Sequence, residues 1–179
     1  TLLDLIRHFM VFEKSKKDND SNWLNLIVQG DNLQFLKTCH QNADPLIKDK
    51  VKGKVNLIYI DPPFATRGDF TAKSGEDSYS DRVDRSEFIE TLRERLIFLR
   101  EILSQNGSLY LHLDLRMSHF GKVVLDEVFG RDKFLSEIIW KRSAAHSDNK
   151  VFGNLHDTIL MSRKGDTYVF NPQFQDYDP

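Results

Sequence analysis

The sequence predicts an α/β fold, a doubly wound and mostly parallel sheet that closes on an antiparallel hairpin. Three observations predict it. The apolar run Val55-Asn56-Leu57-Ile58-Tyr59-Ile60 reads as a strand of a parallel sheet, buried on both faces, and it stops at Asp61-Pro62-Pro63-Phe64. Phe88, Leu92, Leu96, Leu99 and Leu103 recur at the spacing of one apolar helix face. Phe134 to Trp140 and Thr158 to Ser162 read as two closing strands with no helix between them, which calls for antiparallel pairing.

The elements follow in chain order. Leu2, Leu3, Leu5, Ile6, Phe9 and Met10 have helical spacing, and the polar stretch Lys14 to Asn22 reads as a linker. Residues 1–22 are thus expected to be an appendage, and residues 23–179 the body. Trp23 to Gln29, with its apolar run Leu24 to Val28, is the first expected strand, and Gly30-Asp31-Asn32 turns it into a short helix reaching His40. After the strand at Val55, residues 65–83 are rich in Gly, Ser, Asp and Lys without apolar periodicity, so a long loop is expected. The long helix starts near the capping pattern Asp84-x-x-Glu87 and is expected to stop at Asn106-Gly107. Ser108 to His112 is the third strand of the body. Ser118 then opens a helix with Phe120, Val124 and Val128 in one row, ended by Gly130.

A chain of 179 residues suits one α/β domain with a real core. No apolar run approaches the length that spans a bilayer, so no membrane partner is expected. The chain begins with Thr1 and shows no signal peptide, which suggests a piece of a longer product. Cys39 is the sole cysteine; this excludes an internal disulfide and suits a reducing cytoplasm. It shares a helix with Leu33 and Leu36, where a buried hydrophobe is expected rather than a reactive thiol. The six histidines lack ligand spacing, so no metal site is expected. A net charge of −2 is not the electrostatic footprint of a self-sufficient DNA-binding domain.

Ligands of open α/β sheets sit beyond the carboxyl ends of the strands, and Asp61-Pro62-Pro63-Phe64 occupies that address. Pro62 fixes its own φ and biases Asp61 to extended geometry. Neither proline donates an N–H. What remains is a pair of acceptors, the Asp61 carboxylate and the Pro62 carbonyl, beside the ring of Phe64. An exocyclic amine has two N–H donors, and the base that carries it stacks on an aromatic ring for about 1–3 kcal/mol. The tetrapeptide therefore suits a planar amine. The plain reading of the same residues is a strand terminator followed by a turn.

At this tetrapeptide the chain resembles the S-adenosylmethionine-dependent DNA amino-methyltransferases, whose signature is Asp/Asn/Ser-Pro-Pro-Tyr/Phe/Trp. The resemblance covers roughly residues 24–165 and is closest to the beta class and to modification subunits of type III restriction systems. It implies a class I methyltransferase fold, here incomplete, and transfer of a methyl group from S-adenosylmethionine to adenine N6 of a base flipped out of double-stranded DNA. Asp61, Pro62, Pro63 and Phe64 would be the catalytic set; Asp at the first place is typical of adenine-N6 members. The alternatives are a cytosine-N4 enzyme, a non-catalytic DNA- or partner-binding remnant, and an unrelated nucleotide-binding domain. The last is weakened by the lack of a glycine-rich phosphate loop.

The resemblance extends to other residues. Asp31 and Asn32 match the acidic position beside the methyl donor, although a helix cap explains them as well. His112 and Asp114 share a face at the end of their strand and would shape the site. Trp140, Lys141, Arg142 and His156 resemble a hairpin beside the flipped base and would contact DNA, as would Arg67 and Lys73 in the loop after the signature. A restriction subunit or a second methyltransferase copy is the implied protein partner. Family members also need a Phe-x-Gly-x-Gly-like donor loop, and no Gly-x-Gly occurs here. That loop and the target-recognition region are expected after Pro179, so residues 1–179 alone are expected to be nearly inactive.

Overall fold

Residues 10–13, 26–63, 69–71, 77–80, 85–142 and 155–174 are described by the computed structural model. Met10–Glu13 (β1) and Leu26–Gln29 (β2) pair antiparallel. Met10 therefore lies on a strand and not on the expected helix, with Val11 in register with Val28 and Phe12 with Ile27. The rest of the expected helix and the linker lie outside the described residues. Helix α1, Asn32–Gln41, is capped by Asp31, whose Oδ1 accepts from the Gln34 N–H at 2.9 Å. It ends at Asn42 in the left-handed conformation, φ 54°.

Val55–Ile60 forms β3 as expected. Asp69–Thr71 (β4) and Asp77–Ser80 (β5) form an antiparallel ribbon inside the stretch expected to be loop. Strands of three and four residues are too short to leave a readable period.

Helix α2, Arg85–Ile102, runs directly into β6, Leu103–Leu113. The helix thus ends before Asn106-Gly107, and the strand begins before Ser108. The ammonium of Lys164 explains the early switch: it donates to the Leu103 carbonyl at 2.7 Å and to the Glu101 carbonyl at 3.3 Å, where a helix end leaves carbonyls unpaired. Helix α3 spans Ser118–Phe129, a 3₁₀ turn follows at Arg131–Lys133, and β7 (Phe134–Lys141) and β8 (His156–Arg163) form the expected antiparallel pair.

The central sheet has the order β3-β6-β8-β7. β3 pairs parallel with β6, while β8 pairs antiparallel with both β6 and β7. The sheet is therefore mixed, with one parallel pairing among the described strands.

Alternation along the strands separates two faces. Ile58, Leu109, Leu111, Leu113 and Leu160 join Leu92, Leu96 and Leu99 of α2 and Val124 and Leu125 of α3 in one core. Of the expected row of α3, Val124 is buried and Val128 packs against the core, whereas Phe120 is 38% exposed, because the helix meets the sheet through Gly121, Val124, Leu125 and Phe129. At Gly121 a Cβ would collide with the Leu113 side chain, so glycine lets α3 approach β6 closely. The opposite face of β3 carries Leu57 and Tyr59, which are 62% and 54% exposed. The expectation of burial on both faces fails there: among the described residues, the helices of the core pack on the other side. No helix among the described residues is long and apolar enough to cross a membrane.

Candidate active site

The open face of the sheet carries the site. Asp61 and Pro62 follow directly on β3, and the Asp61 side chain is 53% exposed rather than turned into the core. Pro62 is half-buried and Pro63 exposed, so the corner is anchored on one side and accessible on the other. Phe64 lies outside the described residues, as do Arg67 and Lys73.

Register brings His112 of β6 beside Asp61, since Tyr59 pairs with Tyr110 and Ile60 with Leu111. His112 Nδ1 is 2.8 Å from the Tyr59 hydroxyl and 3.8 Å from Asp61 Oδ2. Its Nε2 stands 3.4 Å from Asp157 Oδ2, and Asp157 Oδ1 lies 3.3 Å from the Arg142 guanidinium. Asp157 is buried near the start of β8, between His156 and Thr158, so its charge requires these partners. A line of polar groups thus runs from Asp61 through His112 and Asp157 to Arg142, with Tyr59 bonded to the imidazole. The Tyr59 phenol is pushed above its ordinary pKa, by burial first and then by the charges of Asp61 and Asp157, and it stays a hydroxyl.

His112 and Asp114 part company. β6 ends at Leu113, and the Asp114 carboxylate turns towards the start of α3. There it accepts from the Arg116 and Met117 N–H groups at 3.1 and 3.2 Å and pairs with the Arg116 guanidinium. Its contacts hold a turn. The hairpin residues also divide. Trp140 pairs with Asp157 on the site face and is 57% exposed, whereas Lys141 pairs with His156 and both project to the other side. Arg142 closes the hairpin at its N–H, which donates to the Leu155 carbonyl at 2.9 Å.

Asp31 and Asn32 form a separate corner. The Asp31 carboxylate is exposed and caps α1 through Oδ1, while Asn32 Oδ1 accepts from Arg95 Nε of α2 at 2.7 Å. Oδ2 of Asp31 has no partner among the described residues, which leaves it one acceptor for a hydroxyl or amino group.

Sequence reasoning missed Tyr59 and Asp157. Tyr59 sits two positions before Asp61 and so shares its face, a signal available from strand period alone. Asp157 is a lone carboxylate at the start of an apolar run, the kind of residue that is buried only with a partner.

Residues 55–178 match the DNA methylase family of the N6/N4 type. The type II methyltransferase M.EcaI of Enterobacter cloacae is 40% identical over 132 residues, covering 73% of this chain and 29% of that protein. The StyLTI Mod subunit, part of a type III restriction-modification enzyme of Salmonella typhimurium, is 27% identical over 153 residues, covering 73% of this chain and 22% of its own. The chain therefore spans less than a third of the length of either relative. Among solved structures, the M1.HpyAVI–SAM complex shares the fold with a TM-score of 0.54 at 17% identity, over 83% of this chain and 62% of that one. A candidate DNA modification methylase of Thermus thermophilus does so with a TM-score of 0.52 at 18% identity, over 80% and 56%.

Proposed function

The chain belongs to the DNA methylase family, and from that premise we propose that it carries the amine-accepting part of an S-adenosylmethionine-dependent DNA adenine-N6 methyltransferase of a restriction-modification system. One observation carries the reading: Asp61, at the carboxyl end of β3 and inside the matched stretch, is exposed on the open sheet face with Pro62 fixed behind it.

An adenine within a duplex cannot present N6 to a donor, so the base is extruded into the site. Its amine has two N–H donors, and the Asp61 carboxylate and Pro62 carbonyl accept a hydrogen bond from each. The nitrogen lone pair is delocalised into the ring; two acceptors favour a pyramidal nitrogen with the lone pair available. Positive charge grows on that nitrogen as the methyl group arrives, so the same acceptors hold the transition state more strongly than the ground state. Phe64 stacks on the base. Double-stranded DNA meets Trp140 and Arg142 on the site face, with the partner subunit supplied by a restriction protein or a second copy.

S-adenosylmethionine supplies an electrophilic methyl group when bound. The exposed Asp31 fits it in part: the unpartnered oxygen of a fixed carboxylate suits a ribose hydroxyl or an adenine amine, and Arg95 holds the adjoining Asn32 in place. The work of such an enzyme on DNA belongs in the cytoplasm.

The test is the identity of the product. DNA incubated with the encoded protein and labelled methyl donor is digested to nucleosides and resolved by mass spectrometry, and N6-methyladenine is the expected product. N4-methylcytosine would move the chain to the other branch of the family, and no methylated base from the full-length protein would refute the enzymatic reading.

A further inference from the structure

His112 has a place in the site that the methylation chemistry above does not use. Its two ring nitrogens face two carboxylates from different strands: Asp61, 3.8 Å from Nδ1, and Asp157, 3.4 Å from Nε2. Only the first of these carboxylates is exposed; the side chain of Asp157 is 7% exposed and tied to Arg142. We propose that His112 is a positioning residue for Asp61: the neutral imidazole, hydrogen-bonded to Tyr59 with the Asp157 charge behind it, leaves the Asp61 carboxylate to the substrate amine, whereas the imidazolium claims that carboxylate and silences the site. This rests on the amine-accepting role of Asp61.

The geometry separates the two states. In the neutral ring one nitrogen donates and the other accepts. The Asp157 carboxylate, 3.4 Å away, favours the tautomer with the proton on Nε2 through its charge, without itself making a hydrogen bond to the ring. Nδ1 then accepts from the Tyr59 hydroxyl at 2.8 Å, a bond that satisfies it. At 3.8 Å Asp61 lies beyond hydrogen-bond reach of Nδ1 and keeps its lone pairs for a ligand.

Protonation removes the acceptor at Nδ1. The Tyr59 hydroxyl must then turn to accept, and the cation stands between two carboxylates within ion-pair range. Asp157 is already paired with Arg142 and buried, so Asp61, half-exposed, is the one that moves. A carboxylate drawn to an imidazolium is a weaker acceptor for amine hydrogens. The cation also opposes the positive charge that develops on the amine nitrogen. Activity is therefore lost as pH falls. The charged and titratable groups that face His112 include Tyr59 and Asp61 from β3 and Asp157 from β8, with Arg142 behind Asp157.

The experiment uses the encoded protein in two assays. Methyl transfer is measured across acid to neutral pH for the wild type, His112→Asn and His112→Gln, the second variant guarding against a folding defect in the first. Separately, the Cζ resonance of carbon-13-labelled tyrosine, assigned with Tyr59→Phe, reports ionisation of Tyr59 in Asp61→Asn and Asp157→Asn. The expected result is a kcat lowered about tenfold at neutral pH with KM for DNA little changed, and an acid limb that moves to lower pH in both His112 variants. Tyr59 is expected to ionise at lower pH when either carboxylate is neutralised. An acid limb unchanged in a folded His112 variant overturns the proposal, and so does a Tyr59 titration indifferent to both aspartates. A wild type that transfers no methyl while Tyr59 still responds refutes the methyltransferase reading itself, and the role of His112 with it.

Discussion

Tyr59 and His112 are joined by a 2.8 Å hydrogen bond across the parallel pairing of β3 and β6. The two strands that end at the site are therefore fastened to each other by side chains as well as by their ladder, one residue short of the point where β6 ends. Tyr59→Phe deletes the donor and keeps the ring. Loss of one hydrogen bond of ordinary worth, about 1 kcal/mol, corresponds to a fall of roughly fivefold in methyl transfer, read from initial rates. An unchanged rate would mean that this bond does not order the site.

Gly121 marks the closest approach of α3 to the sheet, with the Leu113 side chain where a Cβ would go. Gly121→Ala should cost about 1–3 kcal/mol by overpacking, offset only slightly by the better helix propensity of alanine. Urea unfolding followed by far-ultraviolet circular dichroism gives the value directly. A variant as stable as the wild type would show that α3 can lift away freely.

Burial, and secondarily the charge of Asp44, pushes the Cys39 thiol from 9.0 to about 11. Because the folded value is raised, the stabilisation is complete below the unfolded pKa near 9 and declines as pH rises towards 11. A thiol that is 1% exposed and protonated should react with a disulfide reagent only on unfolding. The kinetics of thiol labelling with and without denaturant check this, and fast labelling of the native protein at neutral pH would contradict it.

The readable part of the site was the part encoded locally. An apolar run ending in two prolines fixes where β3 stops, and the strand in the structure stops there. The unreadable part depends on register. Asp157 reaches His112 because β8 lies between β6 and β7, an order that no local period reveals. His112 and Asp114 share a sequence period, yet the strand ends between them and the Asp114 carboxylate holds a turn. The same kind of long-range contact lies at the end of α2: the Lys164 ammonium takes the Glu101 carbonyl and the Lys54 N–H the Ile102 carbonyl, partners remote in sequence that helical periodicity cannot register. On α3 the expected row packs against the core at Val124 and Val128 but not at Phe120, and Gly121 joins the buried face by what it lacks.

The most direct measurement is methyl transfer by Asp61→Ala in single turnover, with DNA affinity determined in parallel. Removing one acceptor that acts mainly in the transition state should lower the chemical rate by about 10²–10³ while the protein stays folded and binds DNA as before. A variant that methylates DNA at the wild-type rate would contradict the claim that the acceptor corner at the end of β3 makes the amine reactive.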